Sequence, residues 1–148
     1  MASADHKRSA VAARRLGARV ARVEFAIGSH PRALRRTVRA LARRGVRPLL
    51  LAGFHGRMPT RPEAENLGRW AAEFGAGGRF WARWRNPLPV RQIEFGNETS
   101  YTVQYGDSWS DASYSARASL YATRLSEAHA AVARSGRDVG LLAQADDG

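Results

Sequence analysis

The chain has 148 residues, no cysteine and a formal net charge of +11. That length suffices for one ordinary domain with its own core, and the lack of cysteine excludes disulfides and thiolate metal sites. No apolar run is long enough to cross a membrane, and the polar start, Met1-Ala-Ser-Ala-Asp-His-Lys-Arg, lacks the apolar segment of a signal peptide, so a cytoplasmic protein without membrane contact is expected.

The first predicted element is a helix from Asp5 to Leu16, built from Ala and Arg, with Ser3 or Asp5 near its cap and Gly17 at its end. Arg19 to Ile27 follows as a strand on the spacing of Val20, Val23, Phe25 and Ile27. Gly28-Ser-His-Pro31 leads into a helix with Leu34, Val38, Leu41 and Ala42 on one side, and Gly45 stops it. Val46 to Ala52 is a short apolar run, a buried strand, although Pro48 within it weakens the pattern. After the loop 53–60, Thr60 caps a helix with Pro62 in its first turn and Leu67, Trp70, Ala71 and Phe74 on one face; Gly75, Gly77 and Gly78 end it. A long aromatic connection, Phe80 to Pro89, precedes a strand from Val90 to Gly96 and a polar, aromatic loop. A helix from about Tyr114 to Arg134 and a last apolar run, Val139 to Ala143, complete the order. Strands alternating with helices in this way predict a parallel sheet with crossover helices, an α/β fold in a single domain over residues 1–148.

Six residues carry the chemistry: Ile93-Glu94-Phe95-Gly96-Asn97-Glu98. A buried strand that ends in a carboxylic acid and opens into a polar loop is how α/β barrels place a catalytic group. In this order of elements the chain resembles the clan of (β/α)8-barrel retaining glycoside hydrolases, the cellulase- and xylosidase-like enzymes. In that clan the acid/base glutamate follows an asparagine at the end of the fourth strand, here Asn97-Glu98. Residues 16–25 look like the clan's second strand, 70–81 like the helix and loop before the fourth, and Asp138-Val-Gly-Leu-Leu142 like the fifth. The resemblance implies a partial (β/α)8 TIM barrel of about four parallel strands, covering strands two to five, with a carbohydrate substrate and no cofactor.

By the same resemblance Glu98 is the catalytic acid/base, and Asn97 binds the sugar hydroxyl beside the reacting carbon. Tyr101, Tyr105 and Trp109 offer flat faces with polar edges, suited to pyranose rings. His55, with Phe54, follows the strand Val46–Ala52 at the same mouth and could bind a hydroxyl. Each residue has a plainer reading: Glu98 as a solvated loop acid, Asn97 as a turn residue, the aromatics as a lid on the core, and His55 as a loop histidine. Retaining chemistry needs two carboxyl groups about 5 to 5.5 Å apart. Glu94 is not the second, because four extended residues separate it from Glu98 by about 13 Å. By alternation it faces the barrel interior, bound to arginine. Asp107, Asp111, Asp146 and Asp147 remain as loop acids, and the clan's nucleophile belongs to a seventh strand. Activity is therefore expected only when a missing half supplies the nucleophile. Four strands leave two open sheet edges, so self-association or pairing with such a half is expected. A non-catalytic carbohydrate-binding or interaction remnant is the alternative.

The charge raises a third reading, an arginine-rich nucleic-acid binder. Lys7 is the only lysine, a bias that a GC-rich genome produces whatever the partner. Residues 1–93 hold 20 basic and 5 acidic side chains, while residues 94–148 hold 4 and 8, so the candidate site lies in the acidic part. Phe80, Trp81 and Trp84 beside Arg79, Arg83 and Arg85 have the composition of a base-stacking platform. The preferred reading is that these rings anchor a long connection over a helix end, and nucleic acid is an unlikely partner. His6, His30 and His129 are too scattered to suggest a metal site, and the Gly-x-Ser-x-Gly elbow of serine hydrolases is absent.

Overall fold

The computed structural model describes residues 5–97 and 111–143. Within them the order is α1 (Asp5–Arg15), β1 (Val20–Ala26), α2 (Arg35–Ala42), β2 (Arg47–Gly53), α3 (Arg61–Glu65), α4 (Leu67–Phe74), β3 (Gln92–Phe95), α5 (Asp111–Arg134) and β4 (Gly140–Ala143), with 3-10 turns at Pro31–Leu34 and Arg79–Trp81. The four strands form one parallel sheet in the order β1-β2-β3-β4. Sequential order with right-handed crossovers sends every connecting helix to the same face. This is a partial, barrel-like α/β fold, half the strand number of a closed (β/α)8 ring.

Strand alternation then separates two faces. Phe25, Leu50, Ala52, Ile93 and Phe95 point to the helices and join Val38, Leu67, Trp70, Phe74, Ala128 and Val132 in one core. Phe25 stacks on Trp70 with ring centroids 3.7 Å apart, and the Tyr121 hydroxyl donates to the Phe95 carbonyl at 2.9 Å. The opposite face carries Arg22, Glu24 and Ala26 of β1 in the open, beside Leu49 and Leu51 of β2 and Glu94 of β3.

Three expectations change in detail. The helix expected after Pro31 opens as a 3-10 turn, where the His30 Nδ1 accepts the Arg32 N–H at 3.1 Å. The helix after Thr60 is divided at Asn66, whose side-chain amide donates to the carbonyls of Ile27 and Ser29 at 3.0 and 2.8 Å and so ties the helix to the exit of β1. The third strand is shorter than expected because the Val90 N–H bonds the Phe74 carbonyl at the end of α4 and not the sheet. Pro48 sits fully buried in β2 without losing a ladder bond. Arg47 donates to Arg19, and Ala52 accepts from Gly96, so odd residues of β2 bond β1 and even ones face β3. The β3 ladder begins at Leu50, one step past the proline on that side.

Candidate functional site at the carboxyl ends of the strands

The carboxyl ends of β1, β2 and β3 bring Glu24, His55 and Asn97 to the same end of the sheet. Arg22 organises the β3 side. It crosses the width of β2, two strand spacings or roughly 10 Å. Its Nε donates to Glu94 Oε2 at 2.7 Å, and its Nη2 donates to Asn97 Oδ1 at 2.7 Å. Glu94 is thus an arginine-bound residue of the open face, as its place in the alternation implies. Asn97 has its carbonyl oxygen engaged by Arg22, while its Nδ2 amide makes no hydrogen bond among the described residues.

The β2 side is built on a close approach. His55 Nε2 lies 3.6 Å from Glu24 Oε1, both side chains about half-exposed. A Cβ on Gly53 would stand 2.3 Å from Glu24 Oε1 and 3.0 Å from His55 Nε2, so the carboxylate and the imidazole meet over a residue without a side chain. His55 has φ +51°, the only positive φ outside glycine among the described residues. Left-handed backbone at a histidine is uncommon, and such outliers gather at functional sites. Phe54, its neighbour, points the other way and is buried against Phe95 and Tyr121, so it belongs to the core.

The loop that carries His55 is braced at its far end. The Glu63 carboxylate receives both Arg57 Nη groups at 2.7 and 2.6 Å, and the Thr60 N–H and hydroxyl at 2.8 and 2.9 Å, the return half of a capping box on α3. The Arg57 bonds above all hold the Glu63 carboxyl down to about 2. A Cβ on Gly28 would fall 2.9 Å from Glu63 Oε1, so the exit of β1 closes on the same carboxylate.

Of the residues singled out from sequence, Asn97 and His55 stand at the strand ends, and Glu98, Tyr101 and Trp109 lie outside the described residues, as do Tyr105 and Asp107. Arg22 and Glu24 were not singled out. Their signal is present in β1, where they alternate with Val23 and Phe25 and so share the face opposite the core. Phe80 and Trp81 are buried, and Trp81 Nε1 donates to the Phe74 carbonyl at 2.7 Å, so these rings anchor the connection and present no stacking platform. Among the described residues, no group of three or more His, Asp or Glu could hold a metal ion, and no helix is long and apolar enough to cross a membrane. No family model, curated protein or solved structure matches the chain.

Proposed function

We propose that this chain carries the acid/base half of a retaining glycosidase site. Glu98 is the proton donor to the glycosidic oxygen, and Asn97 is the ligand of the neighbouring sugar hydroxyl. The observation that carries the reading is the state of Asn97. It follows Gly96 at the carboxyl end of β3, its carbonyl oxygen accepts from Arg22, and its amide donates to none of the described residues. A sugar hydroxyl accepting from that amide would leave the reacting carbon beside the next residue, Glu98. His55, held over Gly53 beside Glu24, offers a second polar contact from the adjacent strand. Tyr101 and Trp109 are assigned to the sugar faces by their composition alone.

The second carboxylate that retaining chemistry demands is assigned to further strands of a separate half that completes the barrel. The edges of β1 and β4 that pair with no described strand are where those strands would join. The carboxyl end of a parallel barrel is the place for such a site, and the burial of Phe80 and Trp81 speaks against the nucleic-acid reading.

The test has two arms. The completed barrel should release the chromophore from an aryl glycoside, and Glu98→Gln should abolish turnover while leaving sugar binding intact. Binding by the completed wild type without turnover would refute the catalytic assignment in favour of a carbohydrate-binding role. Neither binding nor turnover would remove the carbohydrate altogether.

A further inference from the structure

A second concave site lies on the helix layer, away from the strand ends. Here α4 and α5 come so close that a Cβ on Gly68 would lie 2.6 Å from the Ala131 carbonyl oxygen. Beside that contact is a cavity of about 400 Å³, floored by Gly68, Ala72 and Ala131. Four arginines rim it: Arg69 on α4, Arg79 on the 3-10 turn after it, Arg134 in the last turn of α5, and Arg137 just beyond.

The charges there are largely uncompensated. Elsewhere arginines meet carboxylates directly: Arg22 with Glu94, Arg57 with Glu63, Arg124 with Glu127. Among the described residues no ion pair involves Arg69, Arg134 or Arg137. Arg79 is only loosely shared with Glu73, at 3.4 Å, and stays mostly exposed. The single carboxylate on the rim, Glu65, accepts from Arg61 at 2.9 Å, one helical turn away. The carbonyl end of α5 adds partial negative charge, about half a unit, far less than the guanidinium groups beside it.

We infer that this cavity binds a small anion of the phosphate class, such as a phosphomonoester. Several like charges around a concave, partly apolar floor focus the field on whatever enters. Guanidinium forks match the oxygen spacing of a tetrahedral oxyanion, and two or more can bind it from different sides. A dianion offsets half of the four rim charges, twice what a lone carboxylate would. None of the described residues lining the pocket carries a ring on which a base could stack, so a small phosphate fits better than a nucleic-acid strand.

Inorganic phosphate is the probe, titrated into the full chain at constant ionic strength and followed by amide NMR shifts. One-to-one saturation is expected, with Kd on the order of 1 mM or tighter and the largest shifts at Gly68, Ser135 and Gly136. Arg69→Gln and Arg134→Gln, both on exposed positions that do not threaten folding, should each weaken binding about fivefold. Arg36→Gln, an exposed arginine of α2, should leave Kd within about twofold. Unsaturable binding, or equal weakening by Arg36→Gln, would overturn the site. A single-stranded oligonucleotide that displaces phosphate and shifts amides across the whole arginine-bearing surface would overturn it as well, in favour of nucleic acid.

Discussion

Phe25 and Glu24 are consecutive residues of β1, yet Phe25 is buried on Trp70 while Glu24 stands half-exposed beside His55. The same contrast runs across the sheet. Toward the helices, β1, β2 and β3 contribute to one continuous apolar core. On the other side they carry Arg22, Glu24 and Glu94. Charges are costly to bury unless paired, so the helix face cannot host them, and the open face can hold them near water. The two faces divide the labour: the helix face sets whether the chain folds, and the open face sets what the strand ends hold.

The largest expected effect comes from the helix face. Trp70→Ala removes the ring stacked on Phe25 and the indole N–H bond to the Ser29 carbonyl, at 3.2 Å. It should destabilise the protein by about 3–5 kcal/mol, read from urea unfolding. A loss below about 1 kcal/mol would mean that this face does not carry the stability. Next is Glu73, a buried carboxylate of α4 held by Arg35 Nε at 2.6 Å and approached by Arg79. Glu73→Gln should cost about 2 kcal/mol, short of a fully buried pair because both arginines can turn to solvent.

Smaller again is the acid response of Glu63. Its carboxyl is held at about 2 in the folded chain, against an ordinary 4.5. The lowered value means that the ionised form favours the fold. Its contribution is complete above about pH 4.5 and fades as the pH falls toward 2. Arg57 is more than half exposed, so screening reduces the effect to about 1 kcal/mol. Wild type should exceed Glu63→Gln by that margin at pH 7, and the two should converge near pH 2 in urea titrations. A gap that persists at pH 2 would assign Glu63 a packing role instead.

The legible part of the molecule was the part governed by local pattern. Alternating strands and helices, the Thr60 cap and the glycine stops at Gly17 and Gly45 follow from spacing and backbone chemistry, and each is found where expected. The inward turn of Phe80 and Trp81 was legible as anchoring for a long connection. What sequence could not supply was partnership at a distance. Arg22 meets residues 72 and 75 positions away, and nothing in its own neighbourhood points to them. Glu73 reads as an ordinary helix-surface acid until α2 brings Arg35 against it. His55 reads from sequence as either a hydroxyl ligand or a plain loop histidine, and only the fold reveals the left-handed backbone that sets it over Gly53.

The smallest stability effect belongs to Arg22, and it probes the comparison most directly. Its side chain is about half-exposed, so exchanging its ion pair with Glu94 for water should cost at most about 1 kcal/mol. Arg22→Gln should therefore unfold within that margin of wild type. The geometry of Asn97 should change much more, because the guanidinium is the hydrogen-bond donor to its Oδ1. Freed from it, the amide can rotate, and its signal in NMR spectra should lose its distinct position and broaden. Glu94→Gln is the control: it neutralises the ion pair but leaves Arg22 able to reach Asn97, so the amide signal should stay sharp. If both variants leave that signal unchanged, Asn97 is ordered by its own backbone and the open face does not organise the strand ends. If Arg22→Gln instead destabilises by several kcal/mol, the open face carries stability as well, and the division between the two faces fails.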